Sequence, residues 1–337
     1  MCGGMAQRWL VPGAGVCLLM LVHGLLFWEA WSLNLMDAVP AVEGPPSLEW
    51  SKKREDVSAS PSGGLQSSSE IFRTGFSFTD ATNELLLRPE RQWTPSETAQ
   101  HHLCIIVPFR ESPSSDEANN GANRSAHLAE FLPYMRQWMK KQGVSFTFVI
   151  AEQENGLLFN RGALLNLGFL VSYHLCDYAV FHDVDFLPIN EGNTYAFPKG
   201  PTHLSFSNSG PHLGGVYLSS SEYHVKLGGW SNRYWGWGYE DFDMWSRVVL
   251  SGREVLTQDH LVGAYRIIEH QRGANIRDSP QLNANLHTFR KTQNAGTRFF
   301  NDGLRSLQGA IVEVIKDQEQ YKHYIFRIAA TEELLPT

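Results

Sequence analysis

Cysteine is scarce in this chain. The 337 residues hold four, isolated at Cys2, Cys17, Cys104 and Cys176. That excludes a small disulfide scaffold and any C-x-x-C zinc knuckle. Positive charge is also in deficit, with 28 Lys+Arg against 35 Asp+Glu and a formal net charge of −7. Phosphate-backbone binding needs clustered positive charge, so no nucleic-acid partner is expected. Charged residues amount to 19% and hydrophobic ones to 42%, which excludes global disorder. No internal repeat is visible. Aromatic residues are what the chain has in quantity: 10 Trp, 11 Tyr and 19 Phe.

Residues 10–28, LVPGAGVCLLMLVHGLLFW, carry no charge. About 20 apolar residues span a bilayer as a helix, whereas the core of a cleaved signal peptide runs to about 7–15. The length therefore favours an uncleaved transmembrane signal anchor, and Arg8 before it places a tail of residues 1–9 in the cytosol. Residues 29–100, rich in Ser, Pro, Gly and unpatterned charge, read as a disordered stem. Residues 101–330 read as a globular domain.

Within that domain LCIIVPF (103–109), VSFTFVIAE (144–152) and DYAVFHD (177–183) fit buried strands. Leu128, Phe131, Leu132, Met135, Trp138 and Met139 recur at helical spacing, and RGALLNLGFLVSYHL (161–175) reads as a second helix. The polar stretch between, ESPSSDEANNGANRSA, reads as a surface loop holding the sequon Asn123-Arg124-Ser125. Strand–helix alternation predicts an α/β fold with an open sheet, in which ligands lie beyond the carboxyl ends of the strands.

Chemistry concentrates at three places. Asp183-Val184-Asp185 follows the third strand; continued alternation would set both carboxylates on one side, suited to a hard divalent cation. D-x-D alone is a weak signal that also occurs in solvated turns. The second place is WSNRYWGWGYEDFD (230–243), six aromatic rings among glycines, ending in acids. Three tryptophans so close are hard to bury in one core, so the segment reads as a sugar platform and mobile lid; a core tryptophan cluster with a capping acid at a helix start is the other reading, and both can hold at once. DFDMWSRVVLSG reads as a helix, whose amino terminus would favour Glu240 and Asp241 electrostatically. The third place is His270 in YRIIEHQR, an ordinary structural histidine unless the first two motifs lie beside it.

Taken together, VPFR (107–110), FNRGALLNLGF (159–169), FHDVDFLP (181–188), GGVYLSS (214–220), WSNRYWGWGYEDFD and YRIIEHQR (265–272) resemble, in this order, the β-1,4-galactosyltransferase family (glycosyltransferase family 7). DYAVFHDVDFLPINE, YAFPKGP and SNRYWGWG are most similar to the xylosylprotein branch of that family. The resemblance implies a GT-A type nucleotide-sugar transferase fold, a mixed open sheet flanked by helices behind an N-terminal transmembrane helix. It implies a single-pass type II protein of the Golgi membrane with a lumenal catalytic domain. It also implies inverting, Mn²⁺-dependent transfer of galactose from UDP-galactose to a sugar hydroxyl of a glycan or glycoprotein, with xylose of a proteoglycan linker as a candidate acceptor. By motif, Pro108, Phe109, Arg110, Phe159, Arg161 and Asp183 resemble the nucleotide contacts and Trp237 the lid tryptophan. Asp185 and His270 resemble metal ligands, Glu240 the donor-sugar contact and Asp241 the catalytic base.

The chain departs from the family in four places. Ile267 and Arg272 stand where members carry a further ligating methionine or histidine, and neither can ligate. The metal would therefore be left with Asp185, His270, diphosphate oxygens and water. Phe242 replaces an aspartate that helps hold the acceptor. The segment between HLSFSNSG and GGVYLSS is short, and the polar insert 111–125 has no counterpart. Two alternatives stay open: a UDP-N-acetylgalactosamine transferase of the same fold, and a non-catalytic, membrane-tethered sugar-binding protein. Two buried thiols are the expected state of Cys104 and Cys176, against a bridge in an oxidising lumen.

Overall fold

The computed structural model describes residues 101–111, 123–154, 156–207, 210–269, 280–294, 302–307 and 309–329. The expected tail, membrane anchor and stem lie outside them, as do His270 and Arg272. Among the described residues no helix is long and apolar enough to cross a membrane.

The first half of the chain forms β1 (His102–Phe109), α1 (Arg124–Gln142), β2 (Ser145–Gln153), α2 (Arg161–Ser172), β3 (Tyr178–His182), β4 (Phe186–Pro188) and β5 (Thr202–His203). Then come β6 (Val216–Ser220), α3 (Ser221–Lys226), α4 (Glu240–Leu250), β7 (Leu256–Thr257) and β8 (Tyr265–Ile267). The last elements are α5 (Pro280–Asn294), β9 (Gly309–Gln318) and β10 (Tyr321–Ile328).

Eight strands build one mixed sheet in the order β7-β5-β6-β3-β1-β2-β10-β9, and β4 pairs with β8 in a separate ribbon. Strands β3, β1, β2 and β10 run parallel, so their carboxyl ends share one edge. β6 is antiparallel to β3. Alternation along β1 divides the core. Cys104 and Ile106 join Leu164 and Leu167 of α2 on one face. Leu103, Ile105, Val107 and Phe109 join Leu128, Phe131 and Met135 of α1 on the other. The sheet is thus covered on both faces, as near-continuous apolar strands require.

The helix starts are capped from the sequence. Asn123 accepts the Ala126 N–H at the head of α1, and Asn160 accepts that of Ala163 at the head of α2. The insert 111–125 is thus not all loop: its last two residues open α1, the sequon asparagine being the cap, while 112–122 lie outside the described residues.

Two further expectations are corrected. Cys104 and Cys176 are joined in a disulfide, with Cα atoms 5.5 Å apart, rather than standing as two thiols. Their Cα separation is ordinary for a bridge. The Asp183-Val184-Asp185 run does not continue β3. The strand ends at His182, and the Phe186 N–H donates to the Asp183 carbonyl (3.3 Å), closing a turn. Asp183 and Asp185 therefore do not share a strand face.

Candidate active site

The carboxyl edge of β1, β2 and β3 carries the predicted nucleotide contacts. Pro108 and Phe109 end β1. Arg110 follows, donating to the Leu157 carbonyl (2.6 Å) with its guanidinium 5.6 Å from the Phe159 ring centre. That stacking brings together residues fifty positions apart in sequence motifs that periodicity could not link. Arg161 opens α2 and is buried, its Nε donating to Asp183 Oδ1 at 2.8 Å. Nη1 and Nη2 of Arg161 are buried and find no hydrogen-bond partner among the described residues. A buried guanidinium with two unused nitrogens is costly unless an anion completes it, and its planar fork suits phosphate oxygens.

The acids of the second motif lie close to Arg161. Glu240 and Asp241 open α4, where the helix amino terminus favours negative charge. Burial pushes the Glu240 carboxyl up to about 8, with the neighbouring Asp241 charge adding to the effect and Arg161 opposing it. Its Oε2 is buried without a partner. Burial raises Asp241 also, against the pull of His212 and Arg161. Asp241 Oδ1 accepts the Phe242 N–H (2.9 Å), and Oδ2 lies 3.4 Å from His212 Nδ1. The chain reaches α4 through Tyr239, a non-glycine residue at φ 75, a left-handed conformation that costs about 1–2 kcal/mol. That strain sits directly before the two acids.

The aromatic segment divides rather than standing open as a whole. Trp230, Tyr234 and Trp235 are buried, and only Trp237 projects, 56% exposed, between glycines at φ 72 and φ 102. The expectation that three tryptophans resist burial is corrected: two enter the core against α2 and α4. Asn166, polar in the middle of the apolar helix α2, holds the segment by bonds to the Trp230 N–H (2.9 Å) and carbonyl (2.7 Å). Asn285 of α5 donates to the carbonyls of Trp235, Trp237 and Gly238. Arg247, buried, pairs with Asp243 and Asp302 beneath it. At Gly162 a Cβ would lie 2.2 Å from the Ser231 carbonyl, so the close approach of α2 to this segment demands glycine.

Asp185 is buried in the turn after β3. Its carbonyl accepts the Ile268 N–H (2.8 Å), and β4 pairs with β8 in the register Phe186↔Ile267. The ribbon therefore brings the strand leading to His270 against Asp185, although His270 itself lies outside the described residues. Among the described residues no group of three potential metal ligands gathers. One buried hard-oxygen ligand fits a divalent cation only if further donors, such as the oxygens of an anionic ligand, complete it.

Several residues escaped sequence reasoning: His212, Asn166, Asn285 and Asp302. Asn166 left a signal, a lone amide inside LLNLGF. The others left none, because their partners are remote in sequence.

An open sheet with a buried, incompletely bonded guanidinium at its carboxyl edge, beside two neighbouring half-buried acids and an exposed tryptophan between glycines, fits a glycosyltransferase class of site. Two family models match: the N-terminal region of glycosyl transferase group 7 over residues 70–198 and the N-terminal domain of galactosyltransferase over residues 200–271. The chain belongs to the β-1,4-galactosyltransferase family, glycosyltransferase group 7. It is 32% identical over 190 residues to mouse β-1,4-galactosyltransferase 7, covering 54% of each chain. It is 32% identical over 234 residues to bovine β-1,4-galactosyltransferase 1, covering 66% of this chain and 54% of that one. The chain thus spans about half the length of these curated relatives. A crystal structure of the catalytic domain of Drosophila β-1,4-galactosyltransferase 7 with xylobiose aligns with a TM-score of 0.57 at 27% identity, over 69% of this chain and 96% of that one. A mutant of that enzyme, in complex with manganese, UDP-Gal and xylobiose, aligns equally well at 26% identity.

Proposed function

We propose that the protein transfers galactose from UDP-galactose to a sugar hydroxyl, with inversion and in the presence of Mn²⁺, forming a β-1,4 linkage. The observation that carries this reading is the buried Arg161 fork, with two nitrogens unpartnered among the described residues, set beside the half-buried acids Glu240 and Asp241. Complexes of the Drosophila relative with manganese, UDP-Gal and xylobiose support the choice of donor, ion and acceptor class.

In this mechanism Arg110 and Phe159 flank the base and ribose, and Arg161 neutralises the diphosphate through its free nitrogens. Asp185 and His270 would hold Mn²⁺, which when bound supplies Lewis-acid stabilisation of charge on the leaving diphosphate. Asp241 takes the proton of the acceptor hydroxyl as its oxygen attacks the anomeric carbon and UDP departs with the bonding pair. One attack on one face inverts the configuration. Glu240, protonated around neutral pH, bonds a donor hydroxyl. Trp237, hinged by its glycines, closes over the donor and excludes water that would hydrolyse it.

Phe242 shapes the acceptor side. Its ring lies 5.6 Å from that of His212, 5.8 Å from Tyr239 and 6.3 Å from Phe289. This aromatic wall suits the apolar face of a pyranose, and we take xylose as the acceptor. The proposal extends to topology: a single-pass type II protein of the Golgi membrane with this domain in the lumen. Residues 10–28 and the Cys104–Cys176 disulfide, which persists in oxidising compartments, support it.

The test is UDP release by the full chain with Mn²⁺, from UDP-galactose and UDP-N-acetylgalactosamine, against β-xylosides and N-acetylglucosaminides. Turnover of UDP-galactose with a β-xyloside is expected. Turnover of UDP-N-acetylgalactosamine alone would overturn the donor assignment. UDP binding without turnover of any pair would favour a sugar-binding role.

A further inference from the structure

Behind Asp241 stands a histidine that no motif singled out. Its neighbourhood is built around the pair. His212 Nδ1 lies 3.4 Å from Asp241 Oδ2. Its Nε2 is 2.8 Å from Ser207 Oγ, and the Gly214 N–H donates to Nδ1 at 3.0 Å. Those contacts define a neutral ring with the proton on Nε2, given to the serine, and the lone pair on Nδ1, which accepts the Gly214 N–H while Asp241 Oδ2 lies 3.4 Å away. The Leu213 N–H donates to the Asp241 carbonyl (3.1 Å), bolting the histidine segment to the head of α4. A Cβ at residue 214 would lie 2.8 Å from Asp241 Oδ2 and 3.1 Å from His212 Nδ1, so a bare backbone is what admits both groups.

We propose that His212 is the positioning residue of the catalytic base: it relieves the carboxylic acid of the transferred proton and, as the imidazolium so formed, pairs with Asp241 Oδ2. The proposal rests on the galactosyl-transfer reading. The acceptor hydroxyl proton passes to Asp241 as the C–O bond forms and UDP leaves. It then passes to His212 Nδ1, which releases the Gly214 N–H to take it, giving an imidazolium that keeps its Nε2–H bond to Ser207. The carboxylate is regenerated, and the imidazolium loses the proton to solvent when the site opens.

The surrounding charges make the relay reversible. Burial lowers the histidine's affinity for a proton, Asp241 of α4 raises it, and Arg161 of α2 lowers it. His203 of β5 lies 5.4 Å away ring to ring, itself held neutral by burial with its Nε2 on the Gly214 carbonyl. Glu240 of α4, whose carboxyl the Asp241 charge raises, is the further ionisable group beside the pair. Lacking a strong fixed charge of its own, His212 takes a proton only when Asp241 offers one.

The experiment uses the full chain and the variants His212→Gln, which keeps polar volume, and His212→Ala. With UDP-galactose, kcat is expected to fall roughly 10- to 100-fold. KM for the donor and the urea midpoint of the glutamine variant should hold. The acid limb of kcat should move to higher pH by about one unit, because Asp241 loses a group that favours its charged form. Imidazole should restore part of the His212→Ala rate. An unmoved pH profile without imidazole rescue overturns the proposal; so does a change confined to donor KM, which would make His212 a donor contact. A second arm needs no turnover: in ¹⁵N-histidine spectra of the UDP-free protein, Asp241→Asn should shift His212 titration to lower pH. If the wild-type chain turns over no pair, the galactosyl-transfer reading fails. The spectra still judge the pair, an unchanged titration refuting it.

Discussion

Reduction of the Cys104–Cys176 bridge is a perturbation whose size follows from the chain itself. The bond closes a loop of 72 residues, between β1 and the segment entering β3. In the chain-entropy account, releasing a loop of that length from the unfolded state costs the fold ~4.4 kcal/mol at 25 °C. For a domain of this size that corresponds to a fall in Tm of roughly 10–15 °C. Dithiothreitol adds no cavity and buries no new polar atom, so the loss should be mostly the loop term; Cys104→Ala with Cys176→Ala should match it. The bridge lies toward the amino ends of the two strands, and Cys104 is aligned with Ala179 across them. The site lies at their carboxyl ends. Donor KM should therefore be preserved under conditions where the reduced protein stays folded. Urea unfolding followed by tryptophan fluorescence, with and without reductant, measures the stability term. Thiol titration of the denatured, unreduced chain should find two groups, Cys2 and Cys17, of the four cysteines present. Four titratable thiols, or identical midpoints in the two conditions, would refute the reasoning.

Three other outcomes follow from the site. Asp241→Asn should lower transfer by roughly 10³-fold while UDP affinity survives, because the amide cannot take a proton; calorimetry showing lost UDP binding in a folded variant would refute the assignment. Glu240 has its folded pKa raised from 4.5 to about 8, so its ionisation penalises the ligand-free fold as pH rises through that window. Glu240→Gln should be more stable than the wild type above pH 8 by roughly 1–2 kcal/mol, with the gap closing below pH 4.5, as read by urea midpoints across pH. Asn285→Ala should leave three lid carbonyls without their donor, cost roughly 1–3 kcal/mol and speed amide exchange over residues 235–239; unchanged exchange there would show that α5 does not hold the lid.

The sequence by itself determined the three parallel strands, both large helices of the first half and the helix that Glu240 opens. Their apolar periods and caps are local properties: LCIIVPF can hardly be anything but a buried strand, and Asn160 caps whatever helix follows it. It also marked Arg161, Asp183, Asp185, Glu240 and Asp241, because the motifs that carry them are contiguous. What periodicity could not supply was the meeting of distant residues. Asp183 and Asp185 were misplaced on one strand face because alternation has no term for a turn closed by the Phe186 N–H. The sequence leaves Cys104 and Cys176 as separate thiols because a bridge depends on the distance between two elements, which the β1–β3 register sets. Trp230 and Trp235 were expected in the open because burial of adjacent aromatics depends on the shape of the opposing surface, here α2 with its Asn166 and Gly162. His212 lay unnoticed for the same reason. Its role depends on a contact across twenty-nine residues of sequence, and only the folding of β5, β6 and α4 together sets an imidazole against the carboxylate that accepts the proton.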